Sequence, residues 1–351
     1  MDHLHKIYSE LEHSAYPVFI WGAGSMSEEV QKRLEERKIP VKGRFINTKR
    51  ADAHIVSDKE HIFTLDEIEK QYDKIDVVMG HGHYEKRGDL GVYPFIHKVY
   101  IIPNPYSQYK GPDLEYIYQN QEQLDYICGH LADYDSVRAL ERYMAVSVTN
   151  DISYLFDGEI CVDGIFGLKQ LQITDRERFV DIGAWEGDSI DLFLKTVRNR
   201  YDKIYAFEPD PELFSRLKHN NEGREGISLF SYGLGEKDGE FYLERESTQS
   251  ASLSSDGESG KKVLVRTIDG LLKDEKASLI KISVPFMFPE ILKGGIETIK
   301  ENRPRLIINV AACDRFLVYD TVKWIVELGL PYKLALRFDF PMPTRLYLYA
   351  F

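Results

Sequence analysis

The stretch "VDIGAWEGDS" holds the residues best suited to chemistry. Asp181 closes an apolar strand, Gly183 and Gly187 punctuate the turn with Ala184 between them, and Asp188-Ser189 opens a helix. Glycines in such a turn let the backbone pass close to a ligand, and the first turn of a helix offers unpaired N–H donors. Twenty-one residues beyond Gly187, "YAFEPD" puts Glu208 at the tip of the next strand. A carboxylate there can accept both hydroxyls of a ribose. A dinucleotide turn reads GxGxxG, whereas this one reads DxGAxxG; its acid is awkward for pyrophosphate but suits a cationic amino group. A ribose, an ammonium and no phosphate describe S-adenosylmethionine. The alternative is a tight strand–helix turn that binds nothing.

The elements around these residues repeat earlier in the chain. "YPVFIWGAGSMSEEVQKRLEERKIPVKGRFIN", residues 16–47, and "RFVDIGAWEGDSIDLFLKTV", residues 178–197, each run strand, glycine turn, helix, and each leads to a further strand. That is the βαβ unit of a parallel sheet, so two α/β domains are expected. Residues 1–105 form a smaller Rossmann-like domain in this reading, 106–150 a helical connector, and 151–351 the domain that carries the Asp181 turn. In the connector, Ile117, Leu124 and Ile127, then Val137, Leu140 and Met144, recur at helical spacing, and Asp135-Ser136 reads as an N-cap. "ESTQSASLSSDGESGKK", residues 246–262, reads as a mobile Ser-rich surface loop.

The bulk composition narrows the partners. Of 351 residues, 43% are hydrophobic and 29% charged, a globular balance. A net charge of -12, spread along the chain, argues against nucleic acid. Cys128, Cys161 and Cys313 stand far apart, which argues against a disulfide framework or zinc knuckle and for a reducing compartment. "MDHLHKIYSE" has no apolar signal core, and no apolar run approaches membrane-spanning length. The expectation is a cytoplasmic protein without a membrane span.

Residues 178–351 resemble the FkbM family of S-adenosylmethionine-dependent methyltransferases. The resemblance is carried by "FVDIGAWEGDSI", "IYAFEPDPELFSRLKHN", "VRTIDGLL", "LIKI" followed by "EILKGGIETIKENRPRLII", and the closing "YKLALRF" and "RLYLYAF". It implies a class I fold, a seven-stranded sheet ending in a reversed hairpin built from residues 332–337 and 345–351. It implies that Asp181, Gly183, Ala184 and Gly187, with Asp188 at the helix start, line the methionine end of the cofactor. Glu208 would hold the ribose, and the turn around Tyr232 and Gly233 would lie near the adenine. The implied acceptor is a sugar or sugar-linked small molecule of glycan or natural-product biosynthesis. The N-terminal portion resembles the small Rossmann-like domain that some members carry.

The acceptor side departs from the family pattern. After Lys281, the family's aspartate position is Ser283, and its Glu-Gly-Ala-Glu run has become "PFMF", with Pro285, Phe286 and Phe288 at the first glutamate, the glycine and the second glutamate. Ala311-Ala312 replaces a Tyr-His pair, and Arg337 is followed by Phe338 rather than His. Lost carboxylates and imidazoles leave a more apolar pocket with less apparatus for deprotonating a hydroxyl. Methyl transfer from a sulfonium can run largely on alignment and desolvation, so one reading keeps an enzyme with an unusual acceptor. Lys281, Ser283 and Asp314 are then the candidates near the transferred methyl, with Asp314 or Asp339 as a base. The other reading is a degenerate protein that binds the cofactor or its product as a regulator or scaffold.

Other residues read less sharply. In "WGAGSMSEE", Ser27 stands for the third glycine of a nucleotide turn and the next strand ends at Asn47 rather than an acid, so a packing or recognition domain is expected, which could hold substrate or form a homodimer. His81 and His83 of "GHGH" follow the strand Ile75 to Met79 without an assignable third ligand, and no metal is expected. Cys313, beside Arg315, reads as a passive thiol.

Overall fold

The structure, a computed structural model, describes residues 3–47, 61–103, 111–156, 161, 163–245, 251–254, 260–272, 274–284, 287–311 and 316–351. The chain divides into two compact units, one of Met1–Leu114, Glu141–Gly158 and Phe340–Thr344, the other of Glu115–Leu140, Glu159–Asp339 and Arg345–Phe351.

The first unit is built on five strands: β1 (Val18–Trp21), β2 (Val41–Ile46), β3 (Ile62–Thr64), β4 (Ile75–Met79) and β5 (Ile96–Tyr100). They pair in the order β3-β2-β1-β4-β5, all parallel. The helix Ser25–Glu36 follows β1 and turns Met26, Val30 and Leu34 inward at helical spacing. Val30 and Leu34 pack with Ile20, Val78 and the N-terminal helix residues Ile7 and Leu11. Ser27 can stand where a nucleotide turn has glycine because the opposite strand supplies the space. A Cβ on Gly80, just past β4, would meet Ser27 Cβ at 2.7 Å. Asp76 in the apolar run of β4 is 1% exposed, and its carboxylate is satisfied by Ser14 Oγ at 2.6 Å and His97 Nδ1 at 2.8 Å.

The second unit carries β6 (Arg178–Ile182), β7 (Lys203–Phe207), β8 (Ile227–Phe230), β9 (Tyr232–Leu234), β10 (Gly239–Arg245), β11 (Ala251–Ser254), β12 (Lys261–Arg266), β13 (Leu279–Ile282), β14 (Arg305–Asn309), β15 (Leu334–Phe338) and β16 (Leu346–Ala350). Seven form the main sheet in the order β15-β16-β14-β13-β6-β7-β8, with β16 antiparallel to both neighbours. This is the class I methyltransferase topology, and the reversed hairpin lies in the residues expected for it. Strands β6, β7, β13 and β14 are apolar runs buried almost throughout, as a sheet covered on both faces requires. One face is sealed by the stacked rings of Phe179 and Phe193, 4.6 Å apart, with Phe166 edge-on to both.

Two local expectations are corrected. Part of the Ser-rich stretch is a strand: Ala251–Ser254 pairs antiparallel with β10 in a second, four-stranded sheet of order β11-β10-β12-β9. Residues 246–250 and 255–259 lie outside the described residues. The helix cap near residue 135 is Asp133, whose Oδ1 accepts from the backbone N–H of Ser136 at 2.9 Å and from its hydroxyl at 2.6 Å. The helix itself begins at Tyr134.

Candidate active site

In the main sheet the connections from β6 run one way, to β7 and β8, and those from β13 the other, to β14 and beyond. The carboxyl ends of β6 and β13 therefore flank the switch point where open α/β sheets place ligands. Asp181, Gly183, Lys281 and Ser283 all stand there. Gly183 has φ +75°, and a Cβ on it would lie 2.9 Å from the Ser283 carbonyl oxygen. Gly187, at φ +98°, caps the helix Asp188–Thr196. The turn between them needs glycine both for its handedness and for this close approach. Ala184 is fully buried, and Gly187 N–H donates to its carbonyl at 2.8 Å.

The backbone of this turn is fastened to the tip of β7. Gly183 and Ala184 N–H both donate to the Phe207 carbonyl, at 3.1 and 3.0 Å. Trp185 takes a left-handed φ of 52°. Its N–H donates to Glu208 Oε2 at 3.0 Å, while Asp210 N–H donates to Oε1 at 3.0 Å. Each carboxylate oxygen has two lone-pair sites, so each keeps one for a further donor. Glu208 is 6% exposed, and burial pushes its carboxyl up to about 7 against the pull of the two backbone N–H groups.

Asp181 and Lys281 form a buried pair. Lys281 Nζ donates to Asp181 Oδ1 at 2.8 Å and to the Gly183 carbonyl at 2.9 Å. Ser189 Oγ donates to Asp181 Oδ2 at 2.5 Å. Asp181 has no exposed surface; burial raises its carboxyl above the ordinary range, and the Lys281 ammonium opposes that shift. Lys281 thus braces the turn.

Beyond β13 the edge holds Asp339, already read as a candidate base, with two groups that sequence reasoning passed over, Arg345 and Tyr347. Asp339, just past β15, takes a two-pronged ion pair from Arg345, with Nε at 3.0 Å from Oδ1 and Nη2 on Oδ2. The Arg345 guanidinium lies 5.4 Å from the ring centre of Tyr347, which is 1% exposed. Because β16 runs antiparallel, its first residues arrive at the carboxyl edge of the other strands. The only sequence signal for Arg345 and Tyr347 was their place at the head of the reversed hairpin. Ser283 Oγ is buried and makes no hydrogen bond of good geometry.

The remaining candidates are more scattered. Tyr232 and Gly233 lie in β9, paired with β12, rather than in a turn. Tyr232 still connects to the site through rings: it stacks on Phe230 at 6.1 Å, and Phe230 on Phe207 at 4.9 Å, beside Glu208. Asp188 is exposed at the helix start. Phe288 is buried in the helix Phe288–Lys293, and Arg337 is bound to Asp133. Asp314, with Ala312, Cys313 and Arg315, and Pro285 with Phe286, lie outside the described residues. In the first unit the rings of His81 and His83 are 6.1 Å apart, edge-on to Trp21 and Phe340 respectively. Among the described residues no group of three or more His, Cys, Asp or Glu is placed to hold a metal, and no helix is long and apolar enough to cross a membrane. A depression of about 860 Å³ lined by Lys195, Tyr201, Asp202 and Arg224 lies at the amino ends of β7 and β8, the edge opposite the glycine turn.

The residues present fit S-adenosylmethionine. Two glycines open the turn at positions 183 and 187, and a buried carboxylate, Glu208, has acceptor positions to spare. Asp181, Gly183, Ala184, Gly187 and Glu208 are the groups that would hold it, with Tyr232 at the adenine side; when bound, the cofactor supplies an electrophilic methyl group.

Comparison with known proteins places this domain. No curated protein gives a significant match. The structure of methyltransferase FkbM from Methylobacillus flagellatus KT superposes with a TM-score of 0.61 at 17% identity, covering 99% of this chain and 93% of that one, a likeness of fold. An rRNA methylase from Streptococcus thermophilus aligns at TM-score 0.30 and 14% identity over 51% of this chain and 87% of that one. An SAH-bound methyltransferase from Podospora anserina aligns at 0.31 and 13% over 67% and 92%. Those two are too distant to carry an argument. The family model described as "Methyltransferase FkbM domain" matches residues 181–328, from the acid of the glycine turn through the helix Val318–Glu327. Residues 181–328 are therefore similar to the methyltransferase domain of the FkbM family.

Proposed function

We propose that this protein transfers the methyl group of S-adenosylmethionine to a hydroxyl of a sugar or sugar-linked small molecule. The observation that carries the cofactor is the joining of the glycine turn to Glu208. Trp185 N–H and Asp210 N–H fix the carboxylate and leave one acceptor position on each oxygen, which matches the two hydroxyls of a ribose. The acceptor class follows from the family likeness, not from a contact. The acceptor would approach from the β13–β16 side, where Ser283, Tyr347 and the Asp339–Arg345 pair offer polar groups. Asp314 or Asp339 would take the proton released, and alignment within a dry site would do most of the rest. Within this reading residues 1–105 form a Rossmann-like recognition domain that helps hold the acceptor or a second copy of the chain, and the protein works in the cytoplasm.

One observation favours the second reading, a protein that binds the cofactor or its product without chemistry. Lys281 is engaged with Asp181 and Gly183, so it has no free role at the methyl group. The test is calorimetric titration with S-adenosylhomocysteine beside Glu208→Ala. Saturable binding that the variant loses supports the site, and transfer of labelled methyl to a panel of glycans then separates enzyme from scaffold. No binding at millimolar ligand would remove the cofactor from both readings.

A further inference from the structure

Glu208 is held by two backbone donors, Trp185 N–H from the glycine turn and Asp210 N–H from beyond the tip of β7, each at 3.0 Å. The second donor is secured by a helix start. Asp210 caps the helix Pro211–Asn220, its Oδ1 accepting from Glu212 N–H at 2.8 Å and Leu213 N–H at 3.2 Å. The first donor sits in a strained turn. Gly187 N–H donates to the Ala184 carbonyl at 2.8 Å, so residues 184–187 close as a turn whose first central residue is Trp185 at φ 52°. A left-handed φ at that position ordinarily goes to Gly, Asn or Asp. A bulky residue keeps it only where its surroundings impose it.

The far end of the same helix grips that turn. Asn220, its last residue, donates from Nδ2 to the Glu186 carbonyl at 2.9 Å. Arg216, four residues earlier and so on the same helix face, donates from Nη1 to Glu186 Oε1 at 2.6 Å. The ion pair is exposed and contributes little alone, whereas Asn220 bonds the backbone of the turn itself. A Cβ on Gly187 would lie 3.0 Å from Asn221 Nδ2 and 3.2 Å from Leu217 Cδ1, so the turn also rests against this helix end. One rigid helix therefore serves both donors of Glu208, Asp210 at its start and, through Glu186, Trp185 at its end.

Resting on the S-adenosylmethionine reading above, we propose that Asn220, seconded by Arg216, is a positioning residue for the cofactor site: it holds Glu186 so that the Trp185 N–H stays on Glu208. It touches no ligand itself. Its effect reaches the ribose through the backbone of the turn and the orientation of the Glu208 carboxylate.

Titration of the full chain with S-adenosylhomocysteine tests this route. Asn220→Ala is expected to weaken binding about fivefold, the scale of one hydrogen bond, and Arg216→Ala about twofold. Both side chains are exposed, so both variants should melt near the wild type. Two further readouts separate positioning from general loosening. Loss of the Trp185 donor disfavours the Glu208 anion, so the pH at which affinity begins to fall should rise by about half a unit in Asn220→Ala. In a Trp185→Asn background the left-handed position carries a residue that tolerates it, and Asn220→Ala should then cost less than about twofold. Unchanged affinity in Asn220→Ala, an unmoved pH profile, or the same loss in both backgrounds overturns the assignment while leaving the cofactor reading standing. A wild type that does not bind S-adenosylhomocysteine overturns the cofactor reading itself.

Discussion

The Trp185 backbone N–H donates to Glu208 Oε2 at 3.0 Å, across 23 residues of sequence. It joins the turn after β6 to the tip of β7. Trp185 makes this bond while held at φ 52°, a left-handed conformation that costs a non-glycine residue on the order of 1 kcal/mol. Strain in the turn and burial at Glu208 are two sides of one arrangement: the carboxylate is held, nearly dry, by groups that use only half of its acceptor capacity.

Ligand binding should therefore depend on pH near neutrality. Burial pushes the Glu208 carboxyl up to about 7, and the anion is the form that accepts both ribose hydroxyls. Affinity for S-adenosylhomocysteine is expected to level off above pH 8 and to fall about tenfold per unit below pH 7. In Glu208→Gln the binding is weaker and its profile flat over the same range. Calorimetry from pH 5.5 to 8.5 checks this, and an equally steep profile in the variant would move the titration to another group.

The same group sets a slope in stability. Its folded value, about 7, lies above the ordinary value of 4.5. The folded chain thus holds the proton more tightly than the unfolded one, a contribution complete below about pH 4.5 and lost as pH rises through about 7. The free energy of unfolding of the wild type minus that of Glu208→Gln is expected to decline by on the order of 3 kcal/mol between pH 4.5 and 8. Urea melts at matched pH measure the difference. A flat difference would show that the carboxylate is not desolvated without ligand.

Arg337 tests whether a polar residue at a strand end belongs to the site. Its guanidinium is 5% exposed and meets Asp133 at 2.9 and 3.1 Å and Ser136 Oγ at 2.8 Å. Arg337→Met leaves a capping aspartate without its partner and is expected to destabilise by about 3 kcal/mol. Affinity for S-adenosylhomocysteine should stay within about twofold. Loss of affinity in a variant still fully folded would instead make Arg337 part of the cofactor site.

Much of this was legible in the sequence, for a physical reason. Apolar runs that end in glycine turns report their own strand and helix, so β4 lies where its apolar run put it, while the hairpin of β15 and β16 lies where the family resemblance implied it. What escaped depends on partners distant in sequence. Ala251–Ser254 reads Ala-Ser-Leu-Ser, an alternation only four residues long inside a serine-rich stretch, and becomes a strand through backbone pairing to β10. Asp133 caps a helix while also holding Arg337, 204 residues away. Lys281 looked free for chemistry until its pairing with Asp181, 100 residues earlier, was visible. Residue types told which groups could act; only the tertiary structure told which were already engaged.

The Lys281–Asp181 pair gives the sharpest prediction on that point. Both side chains are nearly or fully buried, at 5% and 0% exposure, so removing one strands the other in a low-dielectric interior. Lys281→Met is expected to destabilise by about 3–5 kcal/mol and to release the Gly183 carbonyl, weakening S-adenosylhomocysteine as the turn loosens. Adding Asp181→Asn removes the stranded charge, so the double variant should recover a large part of the stability. It should not recover the affinity, because the Gly183 carbonyl still lacks its ammonium donor. Urea melts and calorimetry on the two single variants and the double complete the cycle. Recovery of affinity along with stability would mean that the turn holds its shape without Lys281, and that the pair balances charge without positioning the cofactor.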